Sequence, residues 1–293
     1  MSVTVAVLGG GLMGRPMALR LKACGYDVRL YNRTSRKVED LRRQGIPVAG
    51  HPIQAIQEAR VIILMLADAP AIHAVLNLLD GPSVLNGKTV IQMGTIGPDE
   101  SRTCGRKIAA LGGDYLEAPV LGSLAEAKEG RLLVMVGASP EQFAAWQGLL
   151  GCFGPHPRWI GPVGRAALVK LALNQLIASH IAALSLSLAM IQRSGVPMES
   201  FMTLLRDSAL FAPMFEKKLP RLLNRQYDNP NFSARHLLKD IDLCREAAES
   251  LNLQIGGLDG VRSLLSEAVG QGWGDADYSA LYEVISPARP EEG

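Results

Sequence analysis

Val3-Thr4-Val5-Ala6-Val7-Leu8-Gly9-Gly10-Gly11-Leu12-Met13-Gly14 is the stretch on which the fold is decided. Val3 to Leu8 reads as a buried strand, and Gly9, Gly11 and Gly14 follow it at G-x-G-x-x-G spacing. From Met13 to Cys24 the apolar pattern turns helical. In such a strand–loop–helix each glycine has its own task. Gly9 permits the tight turn, Gly11 lets the backbone approach a pyrophosphate, and Gly14 lets the helix pack close to the strand. The backbone N–H groups near Leu12 and Met13, at the helix start, make an anion site. These are the requirements of a Rossmann-type dinucleotide site.

Working outward, Val28 to Tyr31, Val61 to Leu66 and Thr89 to Met93 repeat the apolar strand pattern, with helical segments such as Arg36 to Gln44 between them. Near-continuous apolar strands separated by helices predict a parallel sheet covered on both faces. Tyr115 to Val120 and Leu132 to Val136 extend it, and Pro140 opens a further helix with Ser139 as N-cap. The second strand ends at Asn32-Arg33-Thr34, where an NAD site usually places a carboxylate for the ribose hydroxyls. No carboxylate stands here. Arg33 can fork onto a 2′-phosphate, with Asn32 and Thr34 as neutral donors, so the expected cofactor is NADP(H).

From Gly164 onward the pattern is helical. Arg165 to Arg193 reads as one helix without internal Gly or Pro, ended by Gly195 and Pro197. The reading is an α/β Rossmann-type N-terminal domain over residues 1–162 and an all-α C-terminal domain over 163–293 for substrate and dimerisation, joined by that long helix. Its apolar surface implies a homo-oligomer, a dimer or tetramer. The tail SPARPEEG is expected to fray.

The 293 residues carry a net charge of +2, with 48% hydrophobic and 20% charged residues. This gives no reason to expect a nucleic-acid or membrane partner. Leu176 to Ile191 is the longest apolar run, interrupted by Ser179, His180, Ser185 and Ser187 and shorter than a bilayer span. The four cysteines have no metal-ligand spacing and read as free thiols in a reducing compartment. No metal is expected. The opening stretch lacks a basic leader region, and the protein is expected in the cytoplasm.

Lys170 and Asn174 lie four apart on the long helix and share a face. Set among Leu and Ala, both are costly to bury without partners or a task. A lysine ammonium can protonate a carbonyl oxygen as hydride arrives and stabilise the developing alkoxide. Asn174 would hold that ammonium or the substrate oxygen in line. His73 and His180 read as ordinary helix residues, and Arg102, Arg106 and Lys107 as a solvated face.

The string VAVLGGGLMGRPMALRL with YNRT resembles the β-hydroxyacid dehydrogenases, which include 3-hydroxyisobutyrate dehydrogenases and glyoxylate/succinic semialdehyde reductases. The blocks MLAD (65–68), GTIGP (94–98), APVLGSLAEAKEG (118–130), GRAALVKLALN (164–174) and LLKD (237–240) carry the likeness along nearly the whole chain. The resemblance implies that Met65, Leu66 and Lys239 serve the cofactor, and that Thr95 serves both cofactor and substrate. It assigns catalysis to Lys170 and Asn174, and a small carboxylate-bearing aldehyde, ketoacid or hydroxyacid to the loop of Leu121, Gly122 and Ser123. The family commonly reads DAPVSGG in that loop. Here Leu121 replaces the hydroxyl and Ser123 restores one two residues later, while Gly94 stands where Ser often precedes Thr95. Two rival readings share the scaffold. An imine reductase usually carries Asp or Tyr at the position of Lys170, and a non-catalytic NADP(H)-binding regulatory protein lacks the lysine altogether.

Overall fold

A computed structural model describes residues 3–81 and 83–288. Of the tail expected to fray, residues 289–293 lie outside the described residues. The chain forms two compact units, Met1–Leu171 and Ala172–Gly293.

Among the described residues the first unit holds nine strands: β1 (Thr4–Leu8), β2 (Asp27–Tyr31), β3 (Val48–Ala49), β4 (Val61–Leu64), β5 (Thr89–Gln92), β6 (Asp114–Glu117), β7 (Val120–Leu121), β8 (Leu133–Gly137) and β9 (Arg158–Gly161). Their helices are α1 (Gly14–Ala23), α2 (Asp40–Arg43), α3 (Pro52–Glu58), α4 (Ala69–Leu76), α5 (Pro98–Ala110), α6 (Leu124–Glu129) and α7 (Pro140–Leu150). The order β3-β2-β1-β4-β5-β6-β8-β7, with β9 on β8, puts β1 near the centre. Alternation decides which face each side chain serves. Val5 and Val7 of β1, with Val61 and Ile63 of β4, enter a core with Met17, Leu21 and Phe153. Ala6 and Leu8, with Ile62 and Leu64, enter another with Ile56, Ile72 and Ile108.

Three local expectations are corrected. The sheet is parallel from β3 through β6, but β8 runs antiparallel to both β6 and β7. The expected strand Tyr115 to Val120 is split into β6 and β7, because Pro119 has no N–H to donate to a ladder. The expected helix Arg36 to Gln44 is a 3₁₀ turn (Ser35–Val38) followed by the single turn of α2. Only Val38 and Leu41 of that segment reach the core, too few to support a continuous amphipathic helix.

The long helix α8 (Arg165–Arg193) has the expected bounds. Ser139 caps α7 as expected, its Oγ accepting from the Gln142 N–H at 3.2 Å. In the second unit, Ala178, Ile181, Leu184 and Leu188 of α8 form a core with α9 (Met198–Asp207), α10 (Met214–Asn224), α11 (Ala234–Ser250), α12 (Gly256–Gly270) and α13 (Tyr282–Ile285). By length and mean hydropathy (1.5 over its most apolar window) α8 is long and apolar enough to cross a membrane. Part of its apolar surface, including Ala178, Ile181, Leu184 and Leu188, lies in the core of the second unit. Leu176, Ala183, Leu186 and Met190 remain exposed along one flank.

Candidate functional site

The three motif glycines of the first unit answer to different pressures. Gly9 has φ +109°, and its N–H donates to the Tyr31 carbonyl at 2.9 Å, closing the turn. A Cβ on Gly9 would overlap the Met65 carbonyl, and one on Gly14 would overlap the Gly9 carbonyl. At Gly11 a Cβ would meet nothing within 4 Å. The loop is therefore packed tightly on the protein side and open where a pyrophosphate would approach. The start of α1 has neither a side-chain cap nor an acidic residue in its first turn, and Leu12 beside it is exposed. That leaves the helix end available to an anion. These residues fit a dinucleotide.

At the end of β2, Asn32 does a structural job. Its Oδ1 accepts from the Gly10 N–H at 3.1 Å and its Nδ2 donates to the Thr34 carbonyl at 2.8 Å, tying the second strand to the glycine loop. Arg15, the residue after Gly14, donates to Asp40 at 2.8 Å and to the Lys37 carbonyl at 2.9 Å. Arg33, Thr34, Ser35 and Arg36 are exposed beside this staple. Of these, Arg33 and Arg36 carry guanidinium groups, whose planar fork of donors suits a phosphate.

Met65 and Leu66 follow β4, with the Met65 N–H donating to the Leu8 carbonyl at 2.8 Å. Asp68, the last residue of MLAD, caps α4 by accepting from the Ala71 N–H at 2.8 Å. Gln92, almost wholly buried, clamps Gly94 by accepting its N–H at 2.6 Å and donating to its carbonyl at 3.0 Å. A Cβ on Gly94 would come within 2.5 Å of the Leu66 carbonyl, so glycine is required before Thr95 in this packing. In the loop after β7, Ser123 donates both its hydroxyl and its N–H (2.7 Å) to Glu126, forming a capping box for α6. The hydroxyl that replaces the missing one is thus already engaged by a carboxylate.

Lys170 is 9% exposed and lies in the first unit, next to its last residue, Leu171. Glu117, at the end of β6, reaches the beginning of the same helix: its Oε1 accepts the N–H groups of Gly164 (2.8 Å), Ala166 (2.9 Å) and Ala167 (3.0 Å). The Ser101 hydroxyl donates to Oε2. Burial pushes the Glu117 carboxyl above its ordinary value, against the pull of these donors.

In the second unit Asn174, 1% exposed, donates from Nδ2 to Asp240 Oδ2 at 2.6 Å. The neighbouring carboxylate fixes the amide orientation, because only the NH₂ end can face it. Asn174 Oδ1 then has no hydrogen-bond partner among the described residues. Lys239 pairs with Asp240 Oδ1 at 2.7 Å. The predicted residues Asn174 and Lys239 are therefore joined by an acid that sequence reasoning left unassigned. The signal was present: Leu237, Asp240 and Ile241 share the buried stripe of α11, and an acid there requires a partner.

Among the remaining residues, His180 is exposed and edge-on to Phe215 at 6.0 Å, while Arg102 pairs with Asp99 and Lys107 with Asn77, as expected of surface groups. All four cysteines are free; burial raises Cys104 to about 11 and Cys152, beside Cys24, to about 12.

Residues 4–161 match the NAD binding domain of 6-phosphogluconate dehydrogenase, and residues 164–285 match the NAD-binding domain of NADP-dependent 3-hydroxyisobutyrate dehydrogenase. Among curated proteins the chain is similar to glyoxylate/succinic semialdehyde reductase 1 of Arabidopsis thaliana, 28% identical over 97% of this chain and 99% of that one. It is also 28% identical to 2-hydroxy-3-oxopropionate reductase of Escherichia coli, over 95% of each. Its fold is like that of 3-hydroxyisobutyrate dehydrogenase from Salmonella typhimurium (TM-score 0.86, 21% identity, 97% of this chain and 100% of that one). An imine reductase from Pseudomonas sp. has a TM-score of 0.66 at 22% identity, over 97% of this chain and 100% of that one.

Proposed function

The chain belongs to the β-hydroxyacid dehydrogenase family of nicotinamide-dependent oxidoreductases, and from that premise we propose that it is an NADPH-dependent reductase of small carboxylate-bearing aldehydes or ketoacids, with Lys170 as general acid. The observations that carry the proposal are a buried Lys170 and, four residues on along α8, a buried Asn174 that is anchored to Asp240 and whose Oδ1 has no hydrogen-bond partner among the described residues. A buried amide oxygen without a partner is costly unless a ligand or a catalytic ammonium supplies the donor.

When bound, NADPH would supply the hydride. Gly9, Gly11, Leu12, Met13 and Gly14 would hold its pyrophosphate, Met65 and Leu66 its adenosine side, and Arg33 its 2′-phosphate. Lys170 delivers a proton to the carbonyl oxygen as negative charge develops there. Asn174, held by Asp240, keeps the donor in line. Thr95, with the backbone of Leu121 and Gly122, receives the substrate. Leu121 in place of a hydroxyl, with the Ser123 hydroxyl committed to Glu126, makes this end less polar and favours a substrate bulkier than glyoxylate. The exposed flank of α8 that includes Leu186 and Met190, 54% and 63% exposed, supports a homo-oligomer.

The test is NADPH oxidation over glyoxylate, succinic semialdehyde, tartronate semialdehyde and methylmalonate semialdehyde, repeated with NADH. Turnover of a semialdehyde with NADPH preferred is the expected result. A strong NADH preference overturns the role of Arg33, and inertness toward all four carbonyls overturns the substrate class.

A further inference from the structure

We propose that Glu117 is the positioning residue for Lys170: its buried carboxylate anchors the first turn of α8 and thereby fixes where the lysine ammonium is presented. This inference rests on Lys170 as general acid. A helix begins with N–H groups that have no intrahelical partner, and an Asn, Asp, Ser or Thr at the N-cap usually satisfies one of them. Here the residue before α8 is Gly164, with φ +97° and no side chain to offer. Three N–H groups, those of Gly164, Ala166 and Ala167, turn instead to one oxygen of Glu117, which arrives from the end of β6.

The anchor is rigid on both sides. Glu117 Oε2 accepts from the Ser101 hydroxyl, and Ser101 Oγ lies 2.8 Å from the Tyr115 hydroxyl. Gly137 faces Glu117 across the β6–β8 pair, and a Cβ there would overlap the Glu117 carboxylate. Lys170 follows Ala166 and Ala167 by one helical turn, so a shift of those N–H groups moves the lysine with them. Side chains on a helix lean toward its N-terminus, which directs the Lys170 stem back over the anchored turn. A local Ser or Asp at the N-cap would hold a helix end without burying a carboxylate. The costlier long-range anchor sits on the helix that bears the proposed acid, and it fixes that helix to the sheet rather than only to itself.

The experiment compares wild type with E117D, E117Q, K170A and the double variant E117D/K170A, each checked for folding by its melting temperature and for cofactor binding. E117D keeps the charge but withdraws the carboxylate by one carbon–carbon bond, about 1.5 Å. A displacement of that size at a reacting group costs on the order of 10²-fold. We expect E117D to lose about 10- to 100-fold in kcat with KM for NADPH within about twofold. E117Q, which keeps an acceptor for the N–H groups and a donor for Ser101, should restore kcat to within about threefold. E117D/K170A should be no slower than K170A, because Glu117 acts through the lysine. Wild-type kcat in E117D, or additive losses in the double variant, overturns the assignment of Glu117 and leaves Lys170 standing. If K170A alone keeps its turnover, the acid reading itself fails, and the role of Glu117 fails with it.

Discussion

Asn174 Nδ2 and Asp240 Oδ2 lie 2.6 Å apart, both side chains buried, so that an acid on α11 holds an amide on α8 in a single orientation. Removing Asp240 leaves the amide and the Lys239 ammonium without their shared anion. Losing a buried hydrogen bond to a charged group costs about 1.5–3 kcal/mol, roughly 10- to 100-fold. D240A is expected to lose kcat by that factor while remaining folded. Steady-state kinetics with wild-type turnover would remove Asp240 from the account.

The glycine loop separates packing from binding. G14A should lower the melting temperature markedly, because the new Cβ overlaps the Gly9 carbonyl. G11A, whose Cβ meets nothing within 4 Å, should melt like wild type yet bind NADPH more weakly. Thermal melts with and without NADPH check both. An unstable G11A with intact cofactor affinity would reverse the assignment.

Arg33 is expected to discriminate between the two nicotinamide cofactors. A charge-assisted arginine–phosphate contact is worth about 1.5–3 kcal/mol, so R33A should raise KM for NADPH by about 10- to 100-fold. KM for NADH should stay within about twofold, since NADH carries no 2′-phosphate. Equal changes for both cofactors would place the 2′-phosphate elsewhere.

Burial raises the Glu117 carboxyl above its ordinary value, which fixes the sign of a pH effect. A group whose folded pKa is raised contributes stability that is full below the unfolded pKa and is lost as pH rises through the folded pKa. The stability of wild type relative to E117Q should therefore fall from about pH 4 upward, beyond the usual glutamate value near 4.3. Paired thermal melts at pH 4 and pH 7.5 measure the change. A gap moving in favour of Glu117 as pH rises would mean that its four donors outweigh burial.

The parts legible in the sequence were those set by local pattern. Gly9, Gly11 and Gly14 follow an uninterrupted apolar strand, and α8 runs from Arg165 to Arg193 because no Gly or Pro breaks it before Gly195. Lys170 and Asn174 stand out in the sequence because polar groups on an apolar helix need a reason. The rest depends on partners distant in the chain. β8 turns antiparallel to β6 through a pairing between Glu117 and Gly137 that no local spacing encodes. Glu117 meets α8 across nearly fifty residues, and the hydroxyl of Ser123 is drawn to Glu126 rather than left facing a ligand. Asn32 reads as a phosphate donor by position but serves as the clasp on Gly10.

The most direct test of the central claim is the turnover of K170A on the best semialdehyde from the NADPH screen, with its cofactor affinity and melting temperature measured beside it. K170A is expected to fold, to bind NADPH normally and to lose at least about 10²-fold in kcat, the usual contribution of a positioned general acid. Turnover within about tenfold of wild type would contradict that role.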